Sequence, residues 1–251
     1  MSQVSGRALF IDGAAVLLVG LAVVLFGERA GLMWTLLGMV IVARFFFWAR
    51  LPERTSWRVE LAFFVICTLI GAFNDFNTVV RHGVYGYELP AELPSLSTIP
   101  LWMLVYWGLI VRFVFTLTRY RAPAREERRG KLIVMAVALI ATRQCIYVFY
   151  EDPVLSWLPF AIALLAWPFL VRTDRHDWTL AIVALTVGPL AEALLIGLGG
   201  LHHYELGWVG GVPLWIVLWW VLATWIWKDL GLRIQRALEN RLEVGSRVWG
   251  S

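Results

Sequence analysis

Apolar stretches of near twenty residues recur along this chain, separated by short clusters of charge, glycine and proline. A helix needs about 20 apolar residues to cross the hydrocarbon layer. Eight such stretches are predicted as spanning helices, at residues 8–26, 31–48, 59–80, 99–117, 131–150, 154–171, 177–198 and 211–228. Spanning helices are apolar nearly all round, so length and flanking charge place them better than periodicity does. Beyond the last span, residues 229–244 set Leu232, Ile234, Leu238 and Leu242 among arginines. That tail is predicted to be a short interfacial helix on the anionic cytoplasmic leaflet.

The polar punctuation repeats. Residues 71–89 align without a gap on residues 188–206, bringing Gly71, Asp75, Gly83, Tyr87, Glu88 and Leu89 onto Gly188, Glu192, Gly200, Tyr204, Glu205 and Leu206. After a four-residue difference in length, Pro100, Leu101 and Trp102 fall on Pro213, Leu214 and Trp215. Upstream, Arg50 and Trp57 echo Arg172 and Trp178 with a one-residue offset. The basic loop 118–130 divides the spans four and four. An even number of spans per half keeps both halves in one orientation. The expected fold is therefore an all-α integral membrane protein of eight transmembrane helices. Residues 1–120 and 121–251 would form two parallel four-helix repeats about a pseudo-two-fold along the membrane normal.

Composition agrees with a membrane protein. Charged residues make up 16% of the 251, where a soluble domain carries roughly 25%. The 15 Trp suit a membrane interface. No cleavable signal peptide is expected in the first apolar run. Cys67 and Cys145 fall within spans and are expected as small buried hydrophobes. The net charge of +4 rests on loop arginines and does not suggest nucleic acid. Arg50, Arg54, Arg58, Arg119, Arg121, Arg125, Arg128, Arg129, Lys131, Arg172 and Arg175 fall in one set of loops, and only Arg29 and Arg81 in the other. Arg7 and the tail arginines 233, 236, 241 and 247 side with the first set. The positive-inside rule then makes both termini cytoplasmic. The expected location is the plasma membrane of a bacterium or archaeon.

Asp75 and Glu192 are the leading candidates for chemistry. A carboxylate in a spanning helix costs a few kcal/mol at the centre, so it faces protein or a water-filled cavity. The repeat places the two at equivalent depth, where close carboxylates favour sharing a proton. Such a pair suits general acid/base work. The bland alternative is that each pairs with an arginine and locks helices together. Arg143, well inside the fifth span, is the candidate partner or headgroup ligand. Arg44 and Arg112 lie nearer a surface and are expected to snorkel. Asn74 and Asn77 flank Asp75, where the second copy has Ala191 and Leu194. They would line a substrate site or bond neighbouring helices. Tyr87, Tyr204, Trp102 and Trp215 begin the returning segments and are candidate substrate contacts. The glycine-rich outer loops are expected to fold inward as lids.

Other chemistries find less support. His82, His202 and His203 could supply metal ligands with Asp75, Glu192 and Glu205, but adjacent histidines lack the i, i+4 spacing of a helical metal site. No metal is expected. Glu126-Glu127 and Asp152-Pro153 read as surface charge and turn. No phosphate-cradling loop, nucleophile elbow or dinucleotide fingerprint is present, so no cofactor is expected.

The second copy resembles the carotenoid-biosynthesis hydratases, an integral membrane family that adds water across an isoprenoid double bond. The resemblance rests on Glu192, the glycine-bearing turn 197–200, Tyr204, and Gly211-Val212-Pro213-Leu214. It implies that Glu192 protonates an alkene. The Asp75 copy and the His202-His203 pair lie outside it. The expected function is a membrane enzyme on an isoprenoid or acyl lipid, with Asp75 and Glu192 as acid and base. The expected reactions are double-bond protonation, hydration, cyclisation or isomerisation. A proton-coupled transporter and a non-catalytic lipid-binding or assembly subunit are the alternatives.

Overall fold

The structure, a computed structural model, describes residues 4–122 and 130–248, without the side chains of 243–248. Arg125, Glu126, Glu127, Arg128 and Arg129, and the side chain of Arg247, lie outside the described residues. The helices are α1 (Gly6–Phe26), α2 (Ala30–Trp48), α3 (Trp57–Phe76), α4 (Leu101–Arg119), α5 (Gly130–Phe149), α6 (Leu158–Leu170), α7 (Arg175–Gly197) and α8 (Leu214–Val248). A π-helical turn, Asn77–Arg81, continues α3, and two short strands, β1 (Tyr85–Tyr87) and β2 (His202–Tyr204), follow α3 and α7.

The chain is thus all-helical apart from one two-stranded ribbon. Six helices among the described residues are long and apolar enough to cross a membrane: α1, α2, α3 with its π turn, α4, α5 and α7. Two expectations need correcting. The sixth stretch is a helix of 13 residues, about 20 Å at 1.5 Å per residue, shorter than the hydrocarbon layer. A turn before it carries helical bonds, Ser156 N–H to Asp152 O and Leu158 N–H to Val154 O. The second correction concerns the tail. No break separates residues 229–244 from the span, because α8 runs unbroken for 35 residues. The 229–244 region holds no proline and a single glycine, Gly231, so nothing in its backbone stops the helix.

By internal contacts the chain forms two units that interleave in sequence. The first comprises the described parts of Met1–Asp75, Pro100–Ala122 and Trp227–Ser251. The second comprises those of Phe76–Ile99 and Pro123–Ile226.

In the first unit, α1 packs on α2 and α4. Ser5 caps α1, its hydroxyl accepting from Ala8 N–H at 3.2 Å. Tyr106 of α4 donates its hydroxyl to Val16 O of α1 at 2.8 Å. α3 meets α4 closely at Gly71, where an added Cβ would lie 2.5 Å from Trp107 Cβ. Phe63, Cys67, Phe115, Trp227 and Leu232 form an apolar core, and Trp227 Nε1 donates to Val111 O at 2.9 Å.

In the second unit, a capping box between Asp174 and Asp177 starts α7. Each side chain accepts the other residue's backbone N–H, satisfying two donors that would be orphaned. α7 meets α8 at Gly188, where an added Cβ would lie 2.5 Å from Trp220 Cγ. Trp225 Nε1 donates to Asp177 O at 2.9 Å and its ring stacks on Trp167 at 5.8 Å. Two helix ends in this unit close alike. Gly83 and Gly200 take the left-handed conformation at φ 62° and 54°. Each glycine N–H reaches four residues back, Gly83 to Val79 O and Gly200 to Ile196 O, the five-to-one bond of an αL cap, and beside them Val84 N–H reaches Thr78 O and Leu201 N–H reaches Leu195 O. Each cap turns the chain into a strand, and β1 and β2 pair antiparallel, Tyr85 with Tyr204, Gly86 with His203 and Tyr87 with His202.

Candidate functional site

Glu192 sits five residues before the end of α7, in a helix otherwise apolar from Leu180 onward except for one threonine, Thr186. The residue is buried, 8% exposed. Because the cap at Gly200 reverses the chain, β2 returns over the helix that precedes it. His202 Nε2 then lies 2.9 Å from Glu192 Oε2, an ion-pair distance.

Alternation along the strands builds the walls. Residues i and i+2 share one face of a strand, so His202 and Tyr204 point one way and His203 the other. His202 and Tyr204 are buried, while His203 is exposed and meets Glu88, itself exposed. The His202 ring stands 5.5 Å from that of Tyr85, 5.8 Å from Tyr87 and 5.1 Å from Tyr204, centroid to centroid. Tyr204 in turn meets Trp215 edge-on at 5.7 Å. A carboxylate and an imidazole thus lie together inside an aromatic surround.

Of the residues singled out in the sequence, the structure brings Glu192, His202, Tyr87, Tyr204 and Trp215 together. Arg143, buried on α5, lies over the ring of Trp219, its guanidinium carbon 3.9 Å from the centroid. His82 stacks on Tyr147 at 3.9 Å. Among the described residues, no group of three His, Cys, Asp or Glu is arranged to hold a metal ion. Asp75 belongs to the first unit. It is fully buried near the end of α3, between the half-buried Asn74 and Asn77. The π-helical turn starts two residues later, and π geometry inside helices recurs at functional sites. Trp102 is also fully buried in the first unit.

The first unit holds a second polar centre that the sequence reading passed over. Asp12 of α1, Arg44 of α2, Glu60 of α3 and Arg112 of α4 form one buried cluster of two positive and two negative charges. Arg44 Nε meets Asp12 Oδ1 at 2.8 Å, and its Nη2 meets Glu60. Arg112 grips Glu60 with two bonds, Nε to Oε1 at 3.0 Å and Nη2 to Oε2 at 3.2 Å. Thr116 donates to Asp12 Oδ2 at 2.5 Å. Arg44 is 2% exposed and Arg112 9%, so neither snorkels. Snorkelling needs a path to water along the side chain, and here carboxylates on neighbouring helices hold both heads inside. The available signal was Asp12, an acid at the fifth position of the apolar run 8–26, with basic counterparts in two other spans.

No protein-family model, curated protein or solved structure matches this chain.

Proposed function

We propose that the protein is a multi-pass membrane enzyme that moves protons on a lipid-like substrate, isoprenoid or acyl, at Glu192. One observation carries this reading: a buried carboxylate in an apolar helix has an imidazole nitrogen at 2.9 Å and aromatic rings around that imidazole. Ionisable groups at membrane depth are functional by default. A binding site that is mostly apolar with a few converging polar groups suits a lipid with one reactive position. Asp75, at the equivalent place in the sequence, is the proposed second carboxylate. Arg143, Asn74, Asn77, Tyr87, Tyr204, Trp102 and Trp215 are the proposed substrate contacts.

The proposed frame is the pair of parallel four-helix repeats, eight helices in all, with both termini cytoplasmic. Four pairs of like features support it, each at the spacing of the sequence alignment. The Gly71–Trp107 approach answers to Gly188–Trp220. The αL cap at Gly83 answers to that at Gly200. The contact of Arg112 with Glu60 answers to that of Trp225 with Asp177. The β1–β2 register, centred on Gly86 and His203, exchanges Tyr85 with His202 and Tyr87 with Tyr204 under a local two-fold, as the alignment does.

The test starts from lipid carried through purification and identified by mass spectrometry. The purified protein should convert a polyprenyl or acyl lipid from that extract, and Glu192→Gln and Asp75→Asn should each lower turnover at least 100-fold, the scale of a lost acid or base. Full activity in both variants overturns the reading. Proton-coupled uptake into proteoliposomes without chemical change would favour a transporter.

A further inference from the structure

We propose that the atom of this site that meets the substrate is His202 Nδ1, and that the group it meets is a hydroxyl on a lipid-like molecule. This deepens the reading above and rests on it. The His202 side chain is 5% exposed, and neither ring nitrogen has a hydrogen-bond partner among the described residues, although Nε2 stands 2.9 Å from Glu192 Oε2. A buried polar atom without a partner is costly, and an imidazole with a carboxylate beside one nitrogen presents its other nitrogen to a reacting group. Glu192 therefore acts through the ring, and the ring touches substrate.

The surroundings choose the ligand's chemistry. The rings of Tyr85 and Tyr87 stand tilted to His202 and that of Tyr204 meets it in a T-shaped contact, so the ligand is apolar around a single polar group. A carboxylate or phosphate there would add negative charge close to Glu192, and like charges in a buried site repel strongly. A hydroxyl carries no charge, and it donates to a neutral imidazole nitrogen or accepts from a protonated one. When it donates fully, the O–H bond breaks with its electron pair left on oxygen, the proton bonds Nδ1, and Glu192 offsets the resulting imidazolium. Imidazolium is a weaker acid than a carboxylic acid, so this dyad suits proton abstraction from oxygen better than protonation of an alkene. The equivalent position in the first copy is Tyr85, so only the second copy presents an imidazole.

The experiment uses the full-length protein in phosphatidylcholine nanodiscs with ¹⁵N-labelled histidine. The chain has only 4 histidines, and comparison with His202→Gln assigns the relevant signal. Dodecanol is the probe and dodecane the control. Dodecanol should shift the His202 Nδ1 resonance, dodecane should leave it in place, and His202→Gln should weaken dodecanol binding about 2- to 10-fold, the worth of one hydrogen bond. An unmoved resonance, or equal shifts with both probes, overturns the proposal. The two readings fail separately. An alcohol-dependent shift with full activity in Glu192→Gln and Asp75→Asn leaves this site standing without the enzyme. Lost activity in those variants with no shift leaves the enzyme standing without this site.

Discussion

Neutralising Glu60 is the sharpest test of the buried charge cluster in the first unit. In the native protein two guanidinium groups share two carboxylates, and all four side chains are about nine-tenths buried or more. Glu60→Gln keeps the shape and removes one negative charge. Arg112 then loses both of its charge-assisted bonds to Glu60, and Arg44 loses its second carboxylate. Asp12 alone remains to balance two positive charges away from water. Breaking a buried pair by removing one partner costs about 3–5 kcal/mol. At roughly 2–4 °C per kcal/mol for a chain of this size, the midpoint should fall by about 6–20 °C. The assay is thermal unfolding in detergent, read by tryptophan emission, with Trp227 stacked 6.2 Å from Phe63 as a nearby reporter. A second variant isolates the cause. Glu60→Gln with Arg112→Met removes one charge of each sign, and replacing a whole buried pair by apolar groups is often neutral or stabilising. The double variant should regain most of the loss, giving a coupling of more than about 1 kcal/mol. A single-variant shift under about 2 °C, or a double variant worse than the sum of its parts, would refute the reasoning and mean that water already solvates the cluster.

Other consequences are as direct. Gly71→Ala and Gly188→Ala should each destabilise by about 1–3 kcal/mol through overpacking against Trp107 and Trp220, while Gly38→Ala, with open space around it, should be neutral or better. Equal tolerance at all three positions in thermal unfolding would count against the close helix approach. Asp152 accepts N–H bonds from Leu155 and Val154, which hold its carboxyl below the ordinary value of 3.8. The contact is present above that ordinary value and is lost as pH falls through the lowered one. Amide protection at Val154 and Leu155 should therefore drop in strong acid and be absent throughout in Asp152→Ala, whereas protection equal to wild type in that variant would refute the cap. For the proposed topology, a cysteine at Ser95 should react with impermeant maleimide on intact cells and one at Arg54 only after lysis, and the reverse pattern would invert the orientation.

How much of this was legible follows from where each signal resides. The apolar runs announce six membrane-length helices because span length is written locally, in consecutive residues. α6 read too long because the apolar stretch begins at Val154 while regular helix begins at Leu158. Hydropathy does not distinguish a turn from a helix. The charge cluster was missed for a different reason. Asp12, Arg44, Glu60 and Arg112 each sit a turn or two from a helix end, where a lone charge normally reaches water. Only tertiary packing of α1 to α4 turns four marginal charges into a closed set. His202 was visible only as a disfavoured metal ligand. Its link to Glu192 needs the reversal at Gly200, and a residue pair ten positions apart carries no periodic signature. The glycine that makes the reversal was visible, and so was the tyrosine pattern on either side of it.

On the two-copy reading, the most informative comparison lies at Arg112 and Trp225. Both stand at one step of their helix and both reach back to the start of the preceding one. Arg112 does so with two charge-assisted bonds to the Glu60 carboxylate, and Trp225 with one indole N–H to the Asp177 backbone carbonyl. Asp177 uses its own carboxylate for the capping box. The second unit therefore makes the same helix junction with a neutral donor, and the junction by itself does not require buried charge. Burying a salt bridge is weak evidence for stability, since apolar replacements often do as well. What four charges add is specificity, because each wrong register of α1 to α4 would strand at least one of them. The second copy departs in the opposite sense at its far end, where His202 takes the position of Tyr85 and faces Glu192. One copy concentrates its polar chemistry in holding its helices and the other in a carboxylate–imidazole pair. That division is why the proposed reaction is assigned to the second copy.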